Sequence, residues 1–344
     1  MARTLFNEHS KKIKYALSFI RKRIIHVNLQ ILYQCNFKCN ICDFWKTPHT
    51  QKPLLSLSQV KIITEKLKDI GPQVISIGGG EPLLHPEVIE IARVLSKDNF
   101  GVMITNGWYV TKDIAQDLFK AGLYEISVSV DYADPKKHDK MRGKEGAFDR
   151  AVEALYILNK NRTHPYQRIH MITTVGDDNI EDIEPLIHLC KDIGVTYLIS
   201  YYSNNRGNFK PVENEKTISD HLVSLHNKYR HFVALRDYLT GISKGNGNND
   251  KPLCFTGKNL INIDSQGSIS LCIDRLDESA GNIFTDNMST ILHNLTKMHK
   301  TNTCNNCWTS CRGSIETILY GKQRLANLFD YYQMTREVKL GQRF

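Results

Sequence analysis

Three cysteines stand in one short stretch, Cys35-Asn-Phe-Lys-Cys39-Asn-Ile-Cys42, directly after an apolar run. Thiolates this close together can grip a metal centre from a single loop, and their number is informative. Iron–sulfur cubanes are as a rule held by four Cys thiolates, so three leave one iron open to a ligand that reacts. An open position of this kind is also what separates catalytic from structural zinc sites. A zinc knuckle completed by His49 is the alternative that the triplet by itself leaves open. After a second apolar run, Val74-Ile-Ser-Ile77, comes Gly78-Gly-Gly-Glu81-Pro82. Its glycines admit a ligand close to the backbone, and its carboxylate offers a partner to a cation.

Together, the Cx3Cx2C loop after the first run and the Gly-Gly-Glu-Pro after the second resemble the radical S-adenosylmethionine (SAM) family. The resemblance implies a [4Fe-4S] cluster on Cys35, Cys39 and Cys42, with its fourth iron chelated by the amino and carboxylate groups of SAM. It also implies that the Gly79-Gly80-Glu81 edge binds the SAM amino group. Ser129, in Val128-Ser-Val-Asp131, resembles the strand end that contacts the ribose, and Arg142, in His138-Asp-Lys-Met-Arg142-Gly, resembles the Arg that pairs with the SAM carboxylate. Arg suits that role because its planar fork meets a carboxylate through two hydrogen bonds. The chain departs from the family pattern at Ile41, where an aromatic residue is usual and where Ile still packs on adenine, and at Tyr132, where Gly often follows the Asp.

These motifs need elements to position them. Strand-like runs recur at Val27–Tyr33, Val74–Ile77, Val102–Thr105, Ile126–Val130, Ile169–Val175 and Tyr197–Tyr202, each but the last followed by a segment of helical period. Ser56-Leu-Ser-Gln59 is a capping-box pattern, Pro86 sits where a helix begins, and Gly71, Gly122 and Gly194 follow helix ends. Alternating strands and helices imply a parallel sheet. Right-handed crossovers curl it into a partial barrel with the motifs at the carboxyl ends of the strands. The expected fold is α/β, a partial (β/α)6 radical SAM barrel followed by a small Cys-rich extension of hairpin and helix. The expected divisions are a basic amphipathic segment over 1–26, the barrel over 27–240, a Gly/Asn-rich linker over 241–253, and the extension with a helical tail over 254–344. A single helical stretch, Ile218–Leu239, is expected to precede the linker.

Cys254, Cys272, Cys304, Cys307 and Cys311 gather in the extension, and Ile261–Leu271 reads as a hairpin turning at Ser265-Gln-Gly267. A Cys, a hairpin with Gly, a Cys, then Gly281-Asn-Ile and a later CxxC resemble the SPASM/Twitch extension of radical SAM enzymes. That resemblance implies one auxiliary [4Fe-4S] cluster on Cys254, Cys272, Cys304 and Cys307, with Cys311 as a fifth thiol able to replace Cys304 or Cys307. A zinc ribbon is the alternative for this group. Cys190, alone on an apolar helical face, is expected to be a buried core thiol.

The chain has 344 residues, 41% hydrophobic and 24% charged, long enough for a large core and an accessory module. No signal-peptide pattern or membrane-length apolar run is present, and nine cysteines, eight of them arranged as ligand sets, point to reduced thiols, hence to the cytoplasm. The formal charge of +9 can steer an acidic electron donor of the flavodoxin or ferredoxin type, while the lack of any binding module argues against nucleic acid. Residues 9–25 alternate basic and apolar positions at helical spacing; they are read as a plug under the barrel, with peripheral membrane contact as the alternative.

The resemblance implies reductive cleavage of SAM to a 5′-deoxyadenosyl radical that abstracts hydrogen from a substrate carbon. An auxiliary cluster that accepts the substrate's electron makes the reaction an oxidative one, a dehydrogenation or cyclisation. The one-cluster count tilts the substrate slightly towards a small metabolite. A peptide maturase that installs a crosslink or an epimer is the alternative, set back because the 34 residues before Cys35 are few for a leader-binding domain. A non-catalytic zinc-binding scaffold is the competing class.

Overall fold

Six of the apolar runs form parallel strands: β1 (His26–Leu32), β2 (Val74–Gly79), β3 (Phe100–Thr105), β4 (Glu125–Ser129), β5 (Arg168–Val175) and β6 (Thr196–Tyr201). They pair in sequence order in a computed structural model that describes residues 2–21, 23–203, 206–207, 212–244 and 254–335. The strands read as near-continuous apolar runs because helices cover the sheet. Ile75, Ile77, Ile126, Val128 and Met171 are all fully buried.

The helices are α1 (Ala2–Ile20), α2 (Leu57–Leu67), α3 (Val88–Asp98), α4 (Lys112–Lys120), α5 (Pro135–Arg142), α6 (Ala147–Asn161), α7 (Ile183–Ile193), α8 (Glu215–Lys228), α9 (Arg236–Ile242), α10 (Met288–Lys300), α11 (Ser310–Tyr320) and α12 (Arg324–Thr335). Ser56 forms the expected capping box with Gln59 at the start of α2. Helix α3 begins at Val88 behind Glu87, so Pro86 lies just ahead of the helix. Gly194 closes α7 in the left-handed conformation, as a helix C-terminus favours.

Two features depart from the sequence reading. The stretch expected as one helix over Ile218–Leu239 is α8 and α9, separated where Phe232 bridges to Tyr197 on the edge strand β6. That tertiary contact overrides the helical period. The extension also continues the barrel sheet: β7 (Leu260–Ile263) pairs parallel with β1, and β8 (Ser268–Ser270) and β9 (Ser279–Asn282) follow antiparallel. The sheet order is β6-β5-β4-β3-β2-β1-β7-β8-β9. Strand β7 thereby covers the edge of β1 that would otherwise lie open. Most of the expected linker, residues 245–253, and the end of the tail, 336–344, fall outside the described residues.

Helix α1 lies across the amino ends of the strands, as a plug would. Tyr15 packs edge-on to Phe100 at the start of β3, with ring centres 5.3 Å apart, and Lys11 Nζ donates to the Ser96 carbonyl at 3.3 Å. Among the described residues no helix is long and apolar enough to cross a membrane.

Candidate active site

The cysteine loop leaves the carboxyl end of β1 and is tied at once to the end of β2. The register of the pair shifts between Gln30 and Leu32, and two bonds follow: Gly80 N–H donates to Leu32 O and Glu81 N–H to Gln34 O, each at 3.0 Å. This crossing is what the glycines are for. A Cβ on Gly79, whose φ is +122°, would lie 1.8 Å from the Leu32 carbonyl oxygen, and one on Gly80 would lie 2.0 Å from that of Gln34. The far side of the loop is tied down as well. Asn40 N–H donates to Met141 O at 3.0 Å, Trp45 Nε1 to Cys39 O at 3.1 Å, and Gly207 N–H to Asp43 Oδ2 at 2.7 Å.

Glu81 is buried, and its carboxylate is fully engaged. It accepts from Thr105 Oγ1 at 2.7 Å, Asn106 N–H at 2.8 Å and Leu83 N–H at 3.0 Å. The Glu81 side chain thus locks the ends of β2 and β3, and the backbone of Gly79 and Gly80 is what faces the cavity. Burial raises the Glu81 pKa, against the pull of these hydrogen bonds.

Arg142, at the end of α5, is buried beside the loop. Its Nη2 pairs with Asp131, its Nη1 lies 4.0 Å from Cys39 Sγ, and its Nε has no hydrogen-bond partner. Asp131 is itself fixed by Thr174 N–H at 2.8 Å on its other oxygen. The Asp131 backbone N–H donates to His138 Nδ1 at 3.1 Å, an acceptor role that requires neutral imidazole at that nitrogen. Burial, then the Arg142 cation, holds His138 down to about 3.

Cys35, Cys39, Cys42, Gly79, Gly80, Glu81, Ser129, Arg142 and Ile41 line one cavity of about 250 Å³ at the carboxyl ends of the strands. Every residue expected to hold the barrel cluster or SAM therefore lines one cavity. Tyr132 is buried one residue beyond Asp131, where the family often has Gly. Burial pushes the Cys35 thiol up to about 12 and raises that of Cys39, so a thiolate here needs a positive partner. A metal cluster is such a partner, and the unpartnered Arg142 Nε adds a donor for an anionic group. No disulfide joins these thiols. Nor do three His, Cys, Asp or Glu side chains among the described residues converge on a point suited to one metal ion. The donor set and the space fit a cluster and SAM. His49, the candidate fourth zinc ligand, is instead stacked on Tyr33 at 5.4 Å and set edge-on to Phe44 at 5.5 Å.

The second thiol group approaches the first through Arg206, which feels the charge of both Cys42 and Cys311. Cys254 and Cys272 both lie near enough to Cys307 to feel its charge: burial pushes Cys254 up to about 12 and raises Cys272 and Cys307, and Cys307 adds to the rise in the other two. Cys304 is joined to them through the backbone, its carbonyl accepting from Cys254 N–H at 3.0 Å. Cys311, in the first turn of α11, stands towards the barrel, 3.9 Å from Asn28 Oδ1 on β1. Burial raises its thiol and the Arg206 cation lowers it. Arg312 braces the group: nearly fully buried, it meets Glu316 at 3.0 Å and donates from Nη1 to Cys307 O at 2.7 Å, while Glu316 accepts from Phe255 N–H at 2.8 Å. Cys190 is fully buried, 3.6 Å from Met171 Sδ.

Sequence reasoning missed the residues that join the two thiol groups. Arg206, past the end of β6, lines the cavity and pairs with Asp274, two residues beyond Cys272; Ser203 Oγ donates to the same carboxylate at 3.3 Å. Lys52 and Asp264 make a second tie at 2.9 Å between the cysteine-loop side and the hairpin. Each lies in an irregular segment, with no spacing signal to mark it.

Residues 29–190 match the model of the radical SAM superfamily. Over those residues the chain carries a radical SAM domain, and members of that superfamily work with a [4Fe-4S] cluster and SAM. It is 34% identical over 161 residues to an AdoMet-dependent heme synthase of Methanosarcina barkeri, a match covering 46% of this chain and 45% of that protein. This chain thus spans about half the length of that relative. The mycofactocin maturase MftC of Mycolicibacterium smegmatis is 26% identical over 306 residues, covering 83% of this chain and 76% of that one. In fold, the chain is similar to Streptococcus suis SuiB in its structure with the precursor peptide SuiA: TM-score 0.67 at 16% identity, over 85% of this chain and 69% of SuiB. The mostly parallel α/β sheet is thus that of a partial radical SAM barrel, and SuiB shares the fold over most of this chain.

Proposed function

We propose that this enzyme reductively cleaves SAM and abstracts hydrogen from a carbon of its substrate, leaving the substrate oxidised. The observation that carries the reading is the gathering of Cys35, Cys39 and Cys42 with the Gly79-Gly80 backbone and Arg142 around one cavity. Bound there, the cluster and SAM supply the radical that takes the hydrogen atom. The chain's own residues hold and orient. The three cysteines hold the cluster, the Gly79-Gly80 backbone takes the SAM amino group, Arg142 its carboxylate and Ser129 its ribose, and Ile41 packs on the adenine. Asp131 keeps Arg142 in place, and Glu81 keeps the β2 edge from moving.

Cys254, Cys272 and Cys307, with Cys304 or Cys311, would hold the auxiliary [4Fe-4S] cluster in this reading, and such a cluster would supply a one-electron acceptor for the substrate. The electron donor in this reading is a flavodoxin- or ferredoxin-type protein, and the setting is the cytoplasm. A peptide substrate is favoured. MftC, a maturase, aligns over most of both chains, and the SuiB fold holds a precursor peptide in its own structure. A small metabolite is the second reading, favoured by the 34% identity to the heme synthase over 161 residues.

The test is iron content and SAM turnover of anaerobically reconstituted protein, with dithionite, for wild type and the Cys35→Ala/Cys39→Ala/Cys42→Ala variant. About eight irons falling to about four, with 5′-deoxyadenosine from the wild type alone, is expected for two cubanes. Zinc in both groups and no cleavage would leave only the binding scaffold. Cleavage with about four irons in the wild type would remove the auxiliary cluster and keep the enzyme.

A further inference from the structure

The exposed large apolar side chains are unevenly placed. Ile13, Leu17 and Ile20 form a row on the outer side of α1, being 63%, 44% and 73% exposed, and Leu325, Leu328, Phe329 and Tyr332 form one on α12, Leu325 reaching 85%. Both rows follow helical spacing, and in each helix the inner side is already used. Tyr15 and Ser18 of α1 face Phe100 and the chain just before β2, and Asn327 and Asp330 of α12 are buried against α9. The two helices also touch each other, with Phe19 stacked on Tyr331 at 6.3 Å between ring centres. One end of the molecule, the end away from the active-site cavity, therefore carries two adjacent helices whose outer sides are apolar. Contiguous exposed apolar surface of this kind marks an interaction site.

We propose that this end of the barrel docks on an anionic lipid surface, with α1 and α12 lying in the headgroup region. Charge chooses lipid over a second copy of the chain. From Ser10 to Arg23 the sequence has six Lys and Arg and no acidic residue, and Lys14, Arg21 and Arg23 are exposed. Two copies brought together at this end would set those cations against each other, whereas anionic headgroups neutralise them. Shape agrees. The apolar side chains protrude instead of lining a groove, and a fluid interface accepts projections of uneven height that a rigid protein partner would have to match. An amphipathic helix with basic flanks and large apolar residues binds in this way, its long cations reaching back to the headgroups. Docked so, the enzyme keeps the cavity mouth at the carboxyl ends of the strands turned away from the membrane.

The test is co-sedimentation of the reconstituted full chain with vesicles of phosphatidylglycerol and phosphatidylcholine in equal parts, against phosphatidylcholine alone. Binding to the anionic vesicles that weakens as salt is raised is expected. Ile13→Ser with Leu17→Ser, and separately Leu325→Ser with Phe329→Ser, should each weaken it by about tenfold. Lys14→Gln with Arg21→Gln should remove the preference for anionic lipid. All three variants lie outside the catalytic machinery, so iron content and SAM cleavage should match the wild type and report that the variants are folded. The proposal is overturned if the wild type stays in the supernatant with both kinds of vesicle, or if the serine variants bind as well as the wild type. It is equally overturned if those substitutions leave vesicle binding unchanged and instead dissociate a dimer in sedimentation velocity, which would give the face to a second copy.

Discussion

Asp131 is the residue on which the charge balance beside the cysteine loop turns. It is 1% exposed, spends one oxygen on Thr174 N–H, and gives the other to Arg142. Removing one partner of a buried ion pair strands the other and costs about 3–5 kcal/mol. Asp131→Asn is therefore expected to lower the melting temperature and, because Arg142 loses its fixed position, to weaken SAM binding measured by equilibrium dialysis. A variant that binds SAM as the wild type does would take Arg142 out of that role. At this scale the sequence was most legible where the chemistry is local. Cys35, Cys39 and Cys42, and Gly79 to Glu81, are adjacent in sequence because one loop and one strand end supply them. Arg206 and Asp274 meet only when the chain has folded, and no local pattern joins two charges so far apart in sequence.

The elements were legible to a similar degree and failed for a similar reason. All six barrel strands and the Ser56 capping box follow from periodicity and side-chain chemistry that act within a few residues. The break between α8 and α9 and the pairing of β7 with β1 are tertiary contacts, invisible to a local pattern. The β1–β7 seam has a polar interior that makes a prediction. Asn262 Oδ1 accepts from Gln30 Nε2 at 3.1 Å, its own Nδ2 reaches Ser270 Oγ at 3.3 Å, and all three residues are buried. Asn262→Ala leaves the Gln30 amide without its acceptor, at a cost of about 1–3 kcal/mol. The expected outcome is a lower urea midpoint, with faster proteolysis in the extension than in the barrel; equal proteolysis rates would mean that the seam does not hold the module. On a surface helix, Ser56→Ala should cost only about 1 kcal/mol by the same urea measurement.

For the whole molecule, pH is the simplest probe of burial. His138 is 1% exposed and held at about 3, and His26 is lowered by burial to about 4. Below about pH 6.5 an unfolded imidazole takes up a proton, while these two do not until the pH is much lower. The unfolded state then binds more protons, so stability is full above that pH and falls as the pH drops, by about 1.4 kcal/mol per pH unit for a group like His138. Urea unfolding at about pH 7 and about pH 5.5 should show this loss. His138→Gln, which keeps an acceptor for the Asp131 N–H, should show less of it. An identical slope in the variant would mean that other groups govern the acid sensitivity.

Because His26 pairs with Leu260, the strand that launches the cysteine loop is completed by a segment that leaves the ribosome only after all six barrel strands. During synthesis β1 gains β2 early and then waits, one edge still carrying unpaired N–H and C=O groups, until residues 260–263 arrive. A nascent chain with an open, apolar strand edge is prone to join another like it. Truncation or stalling anywhere ahead of β7 thus yields a barrel with its cysteine triplet assembled and its edge sticky, a product for chaperones and proteases to clear before it can be loaded with iron.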